Sequence, residues 1–241
     1  MFRFYFTIAF SLFAAAYFFT TYRIYMKNPD AYTELQKYNL VLFACRHIRR
    51  KGNIKLEYYG NDNLPEEGGY IMYSNHQGRY DAIGIVESHQ KPCTYVIDYY
   101  RSQVLLLNQA TDLLDGKRLD KSDMKGQVRI MQDISNEVKA GRRYLIFPEG
   151  GYDDIVTDNT VKEFMPGAFK AAIKAQSPII PIALIDSYKV YLKNSLRRVR
   201  VQVYFLEPIP YEEYKGLNTH EISDLVKSKI CDKIDEVLAS A

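Results

Sequence analysis

Residues 70–81 read YIMYSNHQGRYD, and residues 142–152 read RRYLIFPEGGY. Each stretch is a short run rich in β-branched and aromatic residues that stops abruptly in a turn holding Gly or Pro and an ionisable group. Short apolar runs bounded by such punctuation read as buried strands. Polar residues crowded just past a strand end mark the place where open α/β sheets keep their functional loops. These two stretches therefore fix both the fold class and the first place to look for chemistry.

Working outward, further strands are expected at Ile54–Tyr59, Thr94–Ile97, Ile179–Leu184 and Val199–Leu206, with the quoted ones at Tyr70–Ser74 and Arg143–Phe147. Between them, helical periodicity covers Asp81–His89, Arg101–Gln109, Ser122–Ala140, Gly167–Ala175 and Thr219–Leu238. Strands alternating with helices specify an α/β fold, here a mixed central sheet flanked by helices. No internal repeat or low-complexity linker interrupts the chain after residue 52, so residues 53–241 read as one domain.

Residues 1–52 have a different character. Phe4 to Tyr22 carry no charge, a run whose helical length of about 28 Å approaches the hydrocarbon thickness of a bilayer. A cleaved signal peptide would use Arg3 and the small residues Ala14–Ala16, but the apolar run continues past them. A helix apolar all round also suits the edge of a soluble domain poorly. The expectation is an N-terminal membrane-associated helical segment, spanning or half-inserted. Asn28-Pro29-Asp30 ends that helix, and Asp30 is the expected cap of a second one. The second helix finishes on Arg46, Arg49, Arg50 and Lys51 before Gly52. Those cations suit the helix dipole or lipid headgroups equally well.

Of the 241 residues, 47% are hydrophobic, enough for a sizeable core. A net charge of +3 is too mild for a nucleic-acid partner and is compatible with an anionic lipid surface. Cys45, Cys93 and Cys231 are odd in number and widely spaced, which argues against a disulfide framework or a zinc site and for a reducing compartment.

His76 and Asp81 form a candidate base–orienter pair. Imidazole accepts a hydroxyl proton near neutral pH, and a neighbouring carboxylate fixes its tautomer. A regular helix would place residues five apart on different faces, roughly 140° from one another. A turn is needed to bring them together, and Gly78 is expected to provide its permissive backbone. On its own the pattern also fits a surface histidine next to a helix-capping aspartate. Glu149, in the turn formed by Pro148 and Gly150, is the second candidate.

In order and spacing these motifs resemble the glycerolipid acyltransferase family. Asn75-His76 with Asp81 is similar to the family's Asn-His-x₄-Asp motif, and Phe147-Pro148-Glu149-Gly150 to its Phe-Pro-Glu-Gly motif. Leu114 to Arg118 resembles the arginine-ending motif between them. Ile180-Pro181-Ile182-Ala183 looks like the fourth block, and Met165 to Phe169 resembles the family's glycine-containing helix entry. The resemblance covers roughly residues 54–210 and the N-terminal anchor. It implies a membrane acyltransferase facing the cytoplasm, in which His76 deprotonates the acceptor hydroxyl and Asp81 holds the imidazole. Asn75, Glu149 and Gly150 would help place the acceptor, Arg118 and Lys117 would bind its phosphate, and Pro181 would line the acyl pocket. The implied acceptor is lysophosphatidic acid among membrane lipids, and the implied donor is acyl-CoA or acyl carrier protein. No metal or resident cofactor and no covalent acyl-enzyme are implied. One departure matters: many members continue Phe-Pro-Glu-Gly with Thr-Arg, whereas Gly151 and Tyr152 stand here. Phosphate recognition is then expected from Arg118, or from a residue such as Lys162 or Lys170. Another acceptor, such as glycerol 3-phosphate or a phosphate-free lysolipid, remains open, as does a non-catalytic lipid-binding role.

Overall fold

The computed structural model describes residues 3, 6–7, 11–152, 156–192 and 195–240. Seven strands form one sheet: β1 (Ile54–Tyr59), β2 (Tyr70–Ser74), β3 (Thr94–Asp98), β4 (Lys117–Leu119), β5 (Arg143–Ile146), β6 (Ile179–Ile185) and β7 (Val199–Phe205). Their spatial order is β1-β7-β6-β2-β5-β3-β4. Neighbours run parallel except β6 and β7, which are antiparallel. The expected α/β fold with a mixed sheet is therefore what the chain adopts. Every residue of β2 and of β6 is buried, as their unbroken apolar sequences require of strands covered on both faces.

Alternation along β2 divides the core. Tyr70 and Met72 join the layer containing Tyr38, Ile85 and Leu145, while Ile71 and Tyr73 join the layer containing Ile134, Phe169 and Ile230. The first layer is roofed by α2 (Glu34–Lys51), α3 (Asp81–His89) and α4 (Leu107–Leu113). The second is roofed by α5 (Met124–Lys139), α6 (Lys170–Ala175) and α9 (Thr219–Ala239). Two helical turns, α7 (Lys189–Leu192) and α8 (Tyr211–Tyr214), complete the set.

Several expectations change in detail. The helix expected over Arg101–Gln109 is instead a 3-10 turn, Arg101–Gln103, followed by α4. Asp98 Oδ1 bends the chain there by accepting from the amides of Tyr100 (3.0 Å) and Arg101 (3.1 Å), and Leu106 adopts φ +73° at the break. Strand β4 escaped the sequence reading because three residues, two of them cationic, carry no strand periodicity. Asp30 does not cap α2; it lies in a 3-10 turn, Pro29–Ala31. Thr33 caps instead, because Gln36 three residues on completes a capping box: Oγ1 accepts from the Gln36 amide at 3.2 Å and Gln36 Oε1 from the Thr33 amide at 2.8 Å.

Helix α1 (Leu12–Lys27) lies against α2, with Phe18 buried. Tyr17 meets Phe43 edge-on at 4.9 Å, and the Tyr22 hydroxyl donates to Asp112 Oδ2 at 2.8 Å. Helix α2 is part of the first core layer, and its Tyr38 hydroxyl donates to the Val86 carbonyl at 2.8 Å. Of the uncharged run Phe4–Tyr22, positions 4, 5 and 8–10 lie outside the described residues. Among the described residues no helix is long and apolar enough to cross a membrane.

Candidate active site

The two quoted loops become neighbours because β2 and β5 pair in parallel, with Tyr73 opposite Ile146. Both loops therefore leave the same edge of the sheet side by side. On the other side of β2 lies β6, with Ser74 opposite Ile182. Asn75 prolongs that pairing through its side chain. Its Nδ2 donates to the Leu184 carbonyl at 2.9 Å and its Oδ1 accepts the Leu184 amide at 2.8 Å. Fully buried and occupied at both ends of its amide, Asn75 anchors the loop, which is a different task from the substrate contact expected of it.

His76 Nδ1 stands 2.7 Å from Asp81 Oδ2, so a pair that a regular helix would split is closed by the turn before α3. Asp81 itself closes it. Oδ2 also accepts the amides of Gln77 at 2.5 Å and Gly78 at 2.8 Å, and Oδ1 accepts the Ser187 hydroxyl at 2.5 Å. Gly78 is not in the left-handed region, so the turn depends on this carboxylate and not on glycine's freedom. Four donors converge on one fully buried aspartate, which satisfies its lone pairs and fixes its orientation. With Nδ1 engaged, Nε2 is the imidazole nitrogen left to accept a substrate proton. The ring is held flat by Phe147, stacked at 4.0 Å, and edge-on by Tyr152 at 4.6 Å.

From the β5 side, Glu149 Oε1 accepts the His76 backbone amide at 2.8 Å. Oε2 is buried with no hydrogen-bond partner. Burial pushes this carboxyl up to about 7, against the opposing pull of the His76 and Lys162 amides. Gly150 closes the turn at φ +70°, its amide 3.1 Å from the Phe147 carbonyl; a Cβ there would come within 2.7 Å of Met165 Cε.

Sequence reading missed a third contributor, the end of β6. Asp186 adopts φ +65° and is held there by Asn159, whose Oδ1 accepts the Asp186 amide at 2.8 Å. Asn159 Oδ1 also accepts Gln77 Nε2 at 2.9 Å, and Gln77 Oε1 accepts the Ser187 amide at 2.9 Å. This strained turn aims the Ser187 hydroxyl at Asp81.

Pro181, Lys117 and Arg118 are not brought to His76. Pro181 is buried within β6 opposite Tyr73, inside the sheet. Lys117 and Arg118 point to opposite faces of β4, as adjacent strand residues must. Lys117 Nζ is 2.5 Å from Glu137 Oε1 on α5. Arg118 Nη2 pairs with Asp112 Oδ1 at 2.6 Å and Asn108 Oδ1 at 2.8 Å, and its Nε lies 3.2 Å from Ser102 Oγ. Two cations border the Glu149 turn: Lys162, whose charge and backbone amide both act on Glu149, and Lys121, whose Nζ lies 3.6 Å from where a Cβ on Gly151 would stand. Among the described residues no group of three His, Cys, Asp or Glu converges as a metal site.

A buried carboxylate orienting a histidine whose outer nitrogen is free can activate a hydroxyl or a water. Which family uses it here is decided by the acyltransferase family model, which matches residues 55–185, from β1 to the end of β6, including both loops. The chain belongs to the acyltransferase family. This acyltransferase is 25% identical over 194 residues to 1-acyl-sn-glycerol-3-phosphate acyltransferase alpha of Ovis aries, covering 79% of this chain and 67% of that protein. It is 19% identical over 204 residues to the 1-acyl-sn-glycerol-3-phosphate acyltransferase of Borreliella burgdorferi, covering 82% and 79%. Its fold matches the crystal structure of the lysophosphatidic acid acyltransferase PlsC from Thermotoga maritima with a TM-score of 0.74, at 17% identity over 97% of this chain and 96% of that one.

Proposed function

We propose that this acyltransferase moves a fatty acyl group from an acyl thioester to the free hydroxyl of 1-acyl-sn-glycerol 3-phosphate, giving phosphatidic acid. The observation that carries the reading is the His76–Asp81 contact of 2.7 Å with Nε2 left for the acceptor. Relatives named for this reaction supply the acceptor class. In the first step His76 Nε2 takes the acceptor's hydroxyl proton as the oxygen bonds to the thioester carbonyl carbon. The tetrahedral adduct then expels the thiolate, which takes the proton back from the imidazolium. The ester is formed, the thiol is released and His76 is neutral again. Asp81 stabilises the transient imidazolium without taking its proton. Glu149 and Asn75 act on the backbone of the His76 loop and hold the base in register.

The protein is further proposed to work at a membrane surface, on the cytoplasmic side. Leu12, Phe13 and Tyr17 expose large apolar side chains on α1, the helix that holds the end of the uncharged run. Arg3, just before that run, is buried, its Nε donating to the Val190 carbonyl at 3.0 Å. Both flanks of the run are thus tied to one protein body, which favours lying in the interface over spanning. The donor is acyl-CoA or acyl carrier protein. Incubating the purified protein with a panel of lysolipids and each donor, followed by mass spectrometry, tests the reading. Phosphatidic acid formed from lysophosphatidic acid is the expected product; no acylated product with any pairing would refute it.

A further inference from the structure

A lysophosphatidic acid acceptor brings a phosphomonoester of about −1.5 to −2 charge within reach of His76. Some cation must meet it, and of those expected for the task Arg118 is paired with Asp112, Lys117 with Glu137, and Lys162 acts on Glu149.

Arg101 opens the 3-10 turn after β3, and its guanidinium lies over the Tyr152 ring, 4.4 Å from the centroid. The same ring meets the His76 imidazole edge-on at 4.6 Å. A single aromatic side chain therefore links cation and base, and the guanidinium carbon is no more than about 9 Å from the imidazole centre. That span suits a glycerol phosphate with a hydrogen bond of about 3 Å at either end. Asp98 organises the surroundings. Its Oδ1 accepts the Arg101 amide at 3.1 Å, and its Oδ2 lies 3.9 Å from Lys121 Nζ. Lys121 in turn borders Gly151, so the turn carrying Arg101, the Lys121 loop and the Glu149 turn meet at one mouth.

The way Arg101 is held suits this use. A ring face attracts a guanidinium through its quadrupole and leaves the N–H donors of the fork available. A carboxylate partner, such as Asp112 is for Arg118, would occupy donors and cancel charge. Among the described residues the Arg101 side chain has no carboxylate partner.

We propose that Arg101 binds the acceptor's phosphate, that Lys121 assists it as a second cation, and that Tyr152 is the positioning residue that holds Arg101 beside the base. The inference rests on the proposed transfer to a phosphate-bearing acceptor. Kinetic constants for lysophosphatidic acid and for monoacylglycerol, each with acyl-CoA, test it on the full-length enzyme. Arg101→Ala should lower kcat/KM for lysophosphatidic acid about 10- to 150-fold, mainly through KM, the loss of a charged hydrogen bond. Monoacylglycerol should change less than about twofold. Arg101→Lys should fall between, because it keeps charge but loses the fork. Tyr152→Leu, which also removes a ring packed on His76, should lose more on lysophosphatidic acid than on monoacylglycerol, and Tyr152→Phe should rescue it. Equal losses on the two acceptors, or near-silence of Arg101→Ala, would overturn the assignment. If wild type makes no phosphatidic acid, the functional reading fails, and the phosphate site is read by thermal shift with glycerol 3-phosphate. A stabilisation abolished by Arg101→Ala upholds the site; its persistence in the variant, or its absence in wild type, overturns it.

Discussion

Helix α3 reaches a histidine at each of its ends, and the two are used in opposite ways. At the N-terminal end Asp81 takes Nδ1 of His76, and the ring keeps one nitrogen for a ligand. At the C-terminal end His89 is buried, with Nε2 2.7 Å from the Tyr70 hydroxyl and Nδ1 2.8 Å from the Lys91 carbonyl. Both nitrogens of His89 are spent within the protein, and burial pushes its pKa down to about 4. The difference teaches that a histidine's role follows from whether a carboxylate faces one nitrogen and whether the other is left free. The carboxylate at the active end stabilises the charged imidazolium, while the hydroxyl and carbonyl at the other end fix a neutral ring.

Removing each histidine should break the comparison cleanly. His76→Ala should lower kcat/KM by about 10²- to 10⁴-fold with little change in unfolding midpoint. Asp81→Asn should come close to it in rate. It should also cost stability, since one oxygen gathers the ring and two amides. Steady-state kinetics beside urea unfolding reads both. Activity of His76→Ala within about twofold of wild type would remove it from the mechanism.

His89→Ala should do the reverse, costing about 2–4 kcal/mol of stability while the folded enzyme keeps its kcat. Its ionisation sharpens the contrast. The folded pKa lies below the unfolded one, so this contribution is complete above about pH 6.5 and fades as pH falls towards 4. Up to about 3 kcal/mol is involved. A non-titrating His89→Gln variant should show a flatter decline across that window, measured as urea midpoint against pH. An unchanged slope would mean that His89 is not the group being titrated.

Glu149 provides the smallest and oppositely signed effect. Its folded pKa is raised, so its contribution is complete below about pH 4.5 and is lost as pH rises through 7. Glu149→Gln keeps an acceptor for the His76 amide and cannot ionise. It should be more stable than wild type at pH 8 by about 1–3 kcal/mol and no more stable at pH 4.5. Equal stabilities at pH 8 would refute the buried-charge account.

Local sequence was a good guide wherever the information was local. Strands β2 and β5 and the residues just beyond them were legible, because an apolar run and its terminating turn occupy about a dozen consecutive residues. The His76–Asp81 contact and the place of Glu149 beside it were legible for that reason. The divergence of Arg118 and Lys117 was not legible, because adjacent basic residues look alike in sequence, whereas a strand sends them to opposite faces, here towards Asp112 and Glu137. Ser187, Asn159 and Gln77 gave no signal, since their meaning lies in contacts spanning 82 to 110 residues. The Arg101–Tyr152 stack was hidden in the same way, its partners lying 51 residues apart (152 − 101). Thr33 displaced Asp30 as a cap because the cap depends on its partner three residues on.

The clamp on Asp81 also has a bearing on the order in which a newly made chain acquires its parts. The base and its carboxylate are both synthesised by residue 81, yet Asn75 finds Leu184 and Asp81 finds Ser187 only after more than a hundred further residues. Parallel strand pairings over such separations form slowly, because loop closure precedes any gain from contact. A nascent chain that has passed Asp81 but not yet reached Ser187 therefore carries the complete proton-transfer pair without the hydroxyl that fixes it. The hydroxyl that fixes the pair is supplied only once the chain beyond β6 has docked.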